Sequence, residues 1–183
     1  MIKQSVLALA FAASVSFAGG AARASGDHED HAHEEHGHEE NGHDEAHHVA
    51  ELDGLRSVHA WTRAAHKGED ALVFVELQNR SDTPAVLKGG EFDHAASVEL
   101  VGFTLKDGTD VYVSIPEMPL KPGQELHLEP KALALRLNGI EDDFHKGETV
   151  EMHLVFGRGE MEVDVLIEAE NAKQHSHAGH MHE

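Results

Sequence analysis

The chain contains no cysteine in its 183 residues. That absence excludes a disulfide framework and thiolate metal sites together, so a domain here is held by its own apolar core and any metal is bound by His, Met, Asp or Glu. Basic residues are scarce as well: 14 Lys and Arg stand against 34 Asp and Glu, a net charge of −20. Nucleic acid finds no electrostatic footing on such a protein. Beyond the N-terminus no apolar run is long enough to span a bilayer. The sequence also lacks a paired-acid motif, a phosphate-binding loop and a nucleophile set beside a base, and it reads as a binding protein, not an enzyme.

The one apolar run, Ser5 to about Ala18, follows Lys3 and precedes Ala22-Arg23-Ala24, the layout of a secretory signal peptide with a small-residue cleavage site. Residues 1–24 are expected to be removed on export, with no membrane insertion afterwards. Loss of Lys3 and Arg23 leaves 12 basic against 34 acidic residues, a balance near −22.

What the chain has in excess is histidine, 18 in all. Eight of them, His28, His31, His33, His36, His38, His43, His47 and His48, lie among carboxylates with no Lys or Arg between them. A second group, His175, His177, His180 and His182 with Met181, closes the chain. Imidazole is a ligand for Cu(II), Zn(II) and Ni(II), and the carboxylates add oxygen ligands and a field that concentrates cations. Pairs spaced i, i+2, such as His31 and His33, project to one side of an extended chain and can bite one ion. Many alternative ligand sets make binding multivalent and exchangeable, which suits capture, buffering or hand-over. Residues 25–53 hold almost no large apolar side chain, so they cannot offset the entropy of ordering and are expected to be disordered, as is the tail 171–183.

Residues 54–170 differ. SVHAW, ALVFVELQN, AVLKGGEF, SVELVGFTL, VYVSI, ELHLEP, ALALRLNGI, ETVEMHLVF and MEVDVLIEA are short alternating segments separated by Gly, Pro, Asp and Asn signals. They predict eight or nine strands and an all-β sandwich or Greek-key barrel. In ALALRLNGI the helix formers are overruled by strict alternation, Leu133, Leu135 and Leu137 on one side and Ala132, Ala134 and Arg136 on the other. Ordered structure is expected from about Leu55. Met152 and Met161 fit strand interiors. His66 and His94 fall in connecting segments beside Glu69, Asp70 and Asp93 and are the domain's candidate metal ligands.

The order of these elements resembles the periplasmic copper chaperones of the PCu(A)C type, which are cupredoxin-like Greek-key β-sandwiches. HAWTR, the turn Asn79-x-x-Asp82-x-Pro84 inside ALVFVELQNRSDTPAVLKGG, SVELV, IPEMPLKPGQELHLEP, and LNGI followed by HKGETVEMHLVF carry the likeness from about Val58 to Ala169. The resemblance implies a Cu(I) site of two His and two Met. Its ligands would fall at Val101, at Val111 to Val113, at Ala134 and at Arg136, and none of these is His or Met. Copper is therefore expected chiefly on the His-rich tails, as Cu(II) ahead of Cu(I), with zinc the alternative. The partners implied are the metal ions and a metal transporter or oxidase-assembly factor. A second reading makes the β-domain an adaptor docking such a partner while the tails sense metal or pH.

Overall fold

The computed structural model describes residues 49–176. Its element order is β1 (Val49–Leu52), β2 (Leu55–Arg63), β3 (Ala71–Asn79), β4 (Ala85–Glu91), β5 (Ala95–Lys106), β6 (Thr109–Ser114), β7 (Met118–Leu120), β8 (Glu125–Leu128), β9 (Leu133–Ile140), β10 (Thr149–Phe156) and β11 (Gly159–Glu168). All eleven are strands, and the sheet runs β6-β5-β9-β3-β2-β11-β10-β4-β7, with β1 on β2 and β8 on β3. Neighbours distant in sequence, β9 beside β3 and β11 beside β2, are of the Greek-key kind; the β11–β2 pairing is parallel.

Strand β3 is the pivot. Its first residues, Ala71 to Val73, pair with β9, while Val75 to Gln78 pair with β8 and the other edge pairs with β2. The sheet bends there and brings β5 over β4: a Cβ built on Gly90 would lie 3.4 Å from Val98 Cγ1. Leu100, Leu135 and Leu137 from one wing and Leu87, Leu154, Val165 and Ile167 from the other then share one buried core. This is the all-β sandwich that the alternating segments predict, of the cupredoxin-like kind that the family resemblance implies. Met152 and Met161, each 2% exposed, are core residues.

Order begins earlier than Leu55. Val49–Leu52 forms a hairpin with β2 across Asp53 and Gly54, both at positive φ, 47° and 78°. That is the turn conformation that Asp-Gly favours, and Asp107-Gly108 closes β5 and β6 the same way at 53° and 79°. Ala50 and Leu52 pack on the core, enough apolar contact to hold the added strand. Strand β7, in a proline-bounded stretch outside the segments predicted as strands, pairs with β4 through Met118, Pro119 and Leu120. Leu120 is buried there and accepts a hydrogen bond from Asn79, which decides in favour of a strand.

Asn79 organises the corner between β3 and β4 through four side-chain bonds. Its Nδ2 donates to Thr83 O (2.9 Å) and Leu120 O (3.0 Å), and its Oδ1 accepts from Ser81 N (3.1 Å) and Ser81 Oγ (2.7 Å). A buried amide with its capacity so filled fixes the turn geometry.

Candidate metal centre

Of the sequence candidates, His28, His31, His33, His36, His38, His43, His47, His48, His177, His180, Met181 and His182, with the leader 1–24, lie outside the described residues. His66, His94 and His175 lie within them.

His66 and His94 both approach the segment after β9, each with its own carboxylate. His66 Nδ1 lies 3.5 Å from Asp143 Oδ1, and His94 Nδ1 lies 3.1 Å from Asp142 Oδ2. The Asp143 carboxyl is held below its usual range, first by the Lys67 backbone N–H that donates to it and then by His66. The two imidazoles open on different cavities. His94 lines one of about 550 Å³ rimmed by Glu91, Asp93, Glu151 and His153 over Phe92 and Phe144, and His66 lines one of about 190 Å³. Among the described residues no three His, Cys, Asp or Glu side chains converge on a point where a metal would be held. His66 and His94 are thus exposed ion-pair partners of successive aspartates and do not form one site.

His175 departs most from the tail reading. It is 2% exposed, packed on the domain. The segment after β11 is tied to the domain at two points: Arg63 Nε donates to Ala172 O (2.7 Å), and Ser176 N donates to Glu168 Oε1 (2.7 Å). The Arg63 guanidinium stands over Trp61 and Phe74, 5.6 and 5.3 Å from their ring centres, so an aromatic floor orients the donor. Burial raises the Glu168 carboxyl, but the Ser176 hydroxyl and N–H, with His175 and Lys146, outweigh it and its pKa falls below the usual value. The chain to Ser176 is therefore part of the folded domain, because these polar contacts replace the apolar ones its composition lacks.

Docking brings His175 to His59, with ring centres 5.3 Å apart and planes inclined by 30°. His59 sits in β2 at φ 53°, where the pairing with β3 slips between Val58 and Trp61. A bulge of this kind re-aims a side chain. Both line a cavity of about 290 Å³ with His127, Glu76 and Glu129. His127 is half exposed between Glu76 (3.8 Å) and Glu125 (3.7 Å). His59 and His127 are not among the candidate ligands read from the sequence. Nothing local marks them, since the partner, His175, is 116 positions from His59.

Of the positions at which the family resemblance places copper ligands, Val101, Ala134 and Arg136 lie on one face of neighbouring strands. Val101 and Ala134 are cross-strand partners, each 0% exposed, in a small cluster with Trp61 and Phe74. Val111 and Val113 lie on the neighbouring β6, paired with Thr104 and Gly102. Arg136 is engaged by Glu99. The face of Val101, Ala134 and Arg136 is thus an apolar patch and an ion pair, while Val111 and Val113 alternate with Tyr112 and lie on the opposite face.

Fold and corner together define a domain of the PCuAC type. The model of the LpqE-like lipoprotein family matches residues 55–167, and the chain belongs to that family. With no cysteine in the sequence, a lipid joined through a cysteine thioether is excluded for these 183 residues. Among solved structures, the apo PCuAC domain of PmoF1 is 26% identical, with a TM-score of 0.57 over 67% of this chain and 99% of that one. The copper-bound PCuAC domain of PmoF2 is 25% identical, with a TM-score of 0.56 over 67% and 98%. Cu(I)-loaded DR1885 from Deinococcus radiodurans, 24% identical, shares the fold with a TM-score of 0.51 over 63% and 78%. No curated protein matches the chain in sequence.

Proposed function

We propose that the chain is a periplasmic metal-binding protein that captures copper and buffers or delivers it, chiefly through its histidine-rich segments. The observation that carries this reading is a contrast. The fold is that of a domain solved with copper bound, yet where the family resemblance places the ligands, at Val101, Val111 to Val113, Ala134 and Arg136, the chain has neither His nor Met. Meanwhile eight histidines precede the domain between His28 and His48, and three more follow Ser176. Imidazole and carboxylate, without an available pair of thioethers, favour Cu(II) over Cu(I). Zinc is the competing cargo, with hand-over to a transporter. The adaptor reading, in which the domain docks a transporter or an oxidase-assembly factor, is favoured by the large acidic cavity around His94, which has no Lys or Arg in its lining.

Calorimetric titration of the exported full-length chain tests the reading. Wild type takes up several equivalents of Cu(II) at about micromolar affinity or tighter, where binding is worth about 8 kcal/mol. A full-length variant with those eleven histidines changed to Asn retains at most one equivalent. Equal uptake by the two proteins overturns the role of the tails, and zinc displacing copper at equal concentration reassigns the cargo.

A further inference from the structure

We infer that His59 and His175 form a metal site of their own, an open two-imidazole centre for a late first-row divalent ion, Cu(II) first and Zn(II) second. This goes beyond the proposed function, since it needs none of the histidines outside the described residues.

Three observations point there. The first is spacing. A nitrogen about 2.0–2.1 Å from a metal puts the ring centre about 3.2 Å away, and two such rings at a tetrahedral angle have centres about 5 Å apart. The observed separation is 5.3 Å. The second is the backbone. His59 is the one residue in the interior of a strand, among the described non-glycine residues, that takes positive φ; Asp53, Asp107 and Lys131 lie between strands. A left-handed conformation costs a non-glycine residue about 1–2 kcal/mol and persists only where its surroundings impose it. Here the bulge turns the imidazole toward the C-terminal segment. The third is restraint. His175 is buried and lies between two anchored points, Ala172 held by Arg63 and Ser176 held by Glu168. His175 is therefore positioned before any ion arrives, and the exposed His59 ring lies beside it.

The cavity beside them, about 290 Å³ and lined also by His127 and the carboxylates of Glu76 and Glu129, leaves room for water to complete the coordination. Two protein ligands with open positions suit an ion that arrives and leaves. A closed four-ligand site would retain it. In the sequence His177, His180 and His182 follow directly.

The test uses the full-length exported chain in which the eleven histidines of 28–48 and 177–182 are Asn, so that the tails are silent. Cu(II) and Zn(II) are titrated separately by calorimetry. One equivalent binds, and Cu(II) electron paramagnetic resonance shows two imidazole nitrogens. His59→Asn, chosen because Asn tolerates the left-handed backbone, and His175→Gln each weaken binding about thirtyfold or more. No bound equivalent in this background, or affinity unchanged by both substitutions, overturns the site whatever the tails do. Should either variant unfold, imidazole nitrogen NMR of the unsubstituted pair decides: Zn(II) moves the His59 and His175 signals together if they share an ion. Movement of neither, or of one alone, refutes the pair.

Discussion

Arg63→Ala isolates what holds the C-terminal segment on the domain. Two interactions are lost, and they act on different equilibria. The ring contacts over Trp61 and Phe74, 5.6 and 5.3 Å, lie within the sandwich. At a half-exposed site they are worth about 0.5–1 kcal/mol together, and that loss falls on global unfolding. The bond from Nε to Ala172 O, 2.7 Å, crosses to the segment. A hydrogen bond to a charged donor is worth about 1.5–3 kcal/mol net, and the lower end applies where water reaches the guanidinium. Opening of residues 171–176 should therefore rise about tenfold, since about 1.4 kcal/mol is a factor of ten. Hydrogen exchange by mass spectrometry, with site resolution from NMR, reads this at the Ser176 amide, whose partner Glu168 is untouched. The amides of β3, with Phe74 and Val73 at 0% exposure, serve as the global reference. Arg63→Lys keeps the charge but not the planar fork, and restores less than half of the effect. If Ser176 exchange changes less than about twofold while the domain stays folded, the latch reasoning is wrong.

Two further outcomes follow from the same structure. Asn79→Ala removes four hydrogen bonds at a site 1% exposed; Thr83 O keeps the Ser81 hydroxyl as a donor, so the main loss is at Leu120 O, and urea unfolding should show a decrease of about 3 kcal/mol with unchanged m-value. Glu168 has a folded-state pKa below its usual 4.5, so its contribution is present above about pH 4.5 and is lost as pH falls through the lowered value. Ser176 exchange, corrected for its intrinsic pH dependence, should accelerate over that acidic range in wild type and be flat in Glu168→Gln.

How far the sequence is legible differs between fold and site. The alternation in ALVFVELQN and ALALRLNGI marks β3 and β9 because a half-buried strand needs one apolar face, a requirement local to each segment. Asp53-Gly54 carried the signal for β1, a hairpin dipeptide between VAEL and LRSV, and the neighbouring histidine-rich composition obscured it. Strand β7 had no such signal, because three residues between prolines become a strand only when β4 supplies the partner. The vacancy of the expected copper ligands was legible at Val101, Ala134 and Arg136, since it depends only on residue identity.

By itself, then, the sequence determined which side chains are on offer to a metal, imidazoles and carboxylates without a thiolate, and the all-β fold, through side-chain periodicity. Only the tertiary structure decided which histidines keep company. His66 and His94 go to separate aspartates, while His59 and His175 face each other. That pairing depends on a slip in the register of β2 against β3 and on a carbonyl at Ala172 within reach of Arg63. Both are contacts between segments remote in the chain, and no local pattern of residues encodes the distance between them.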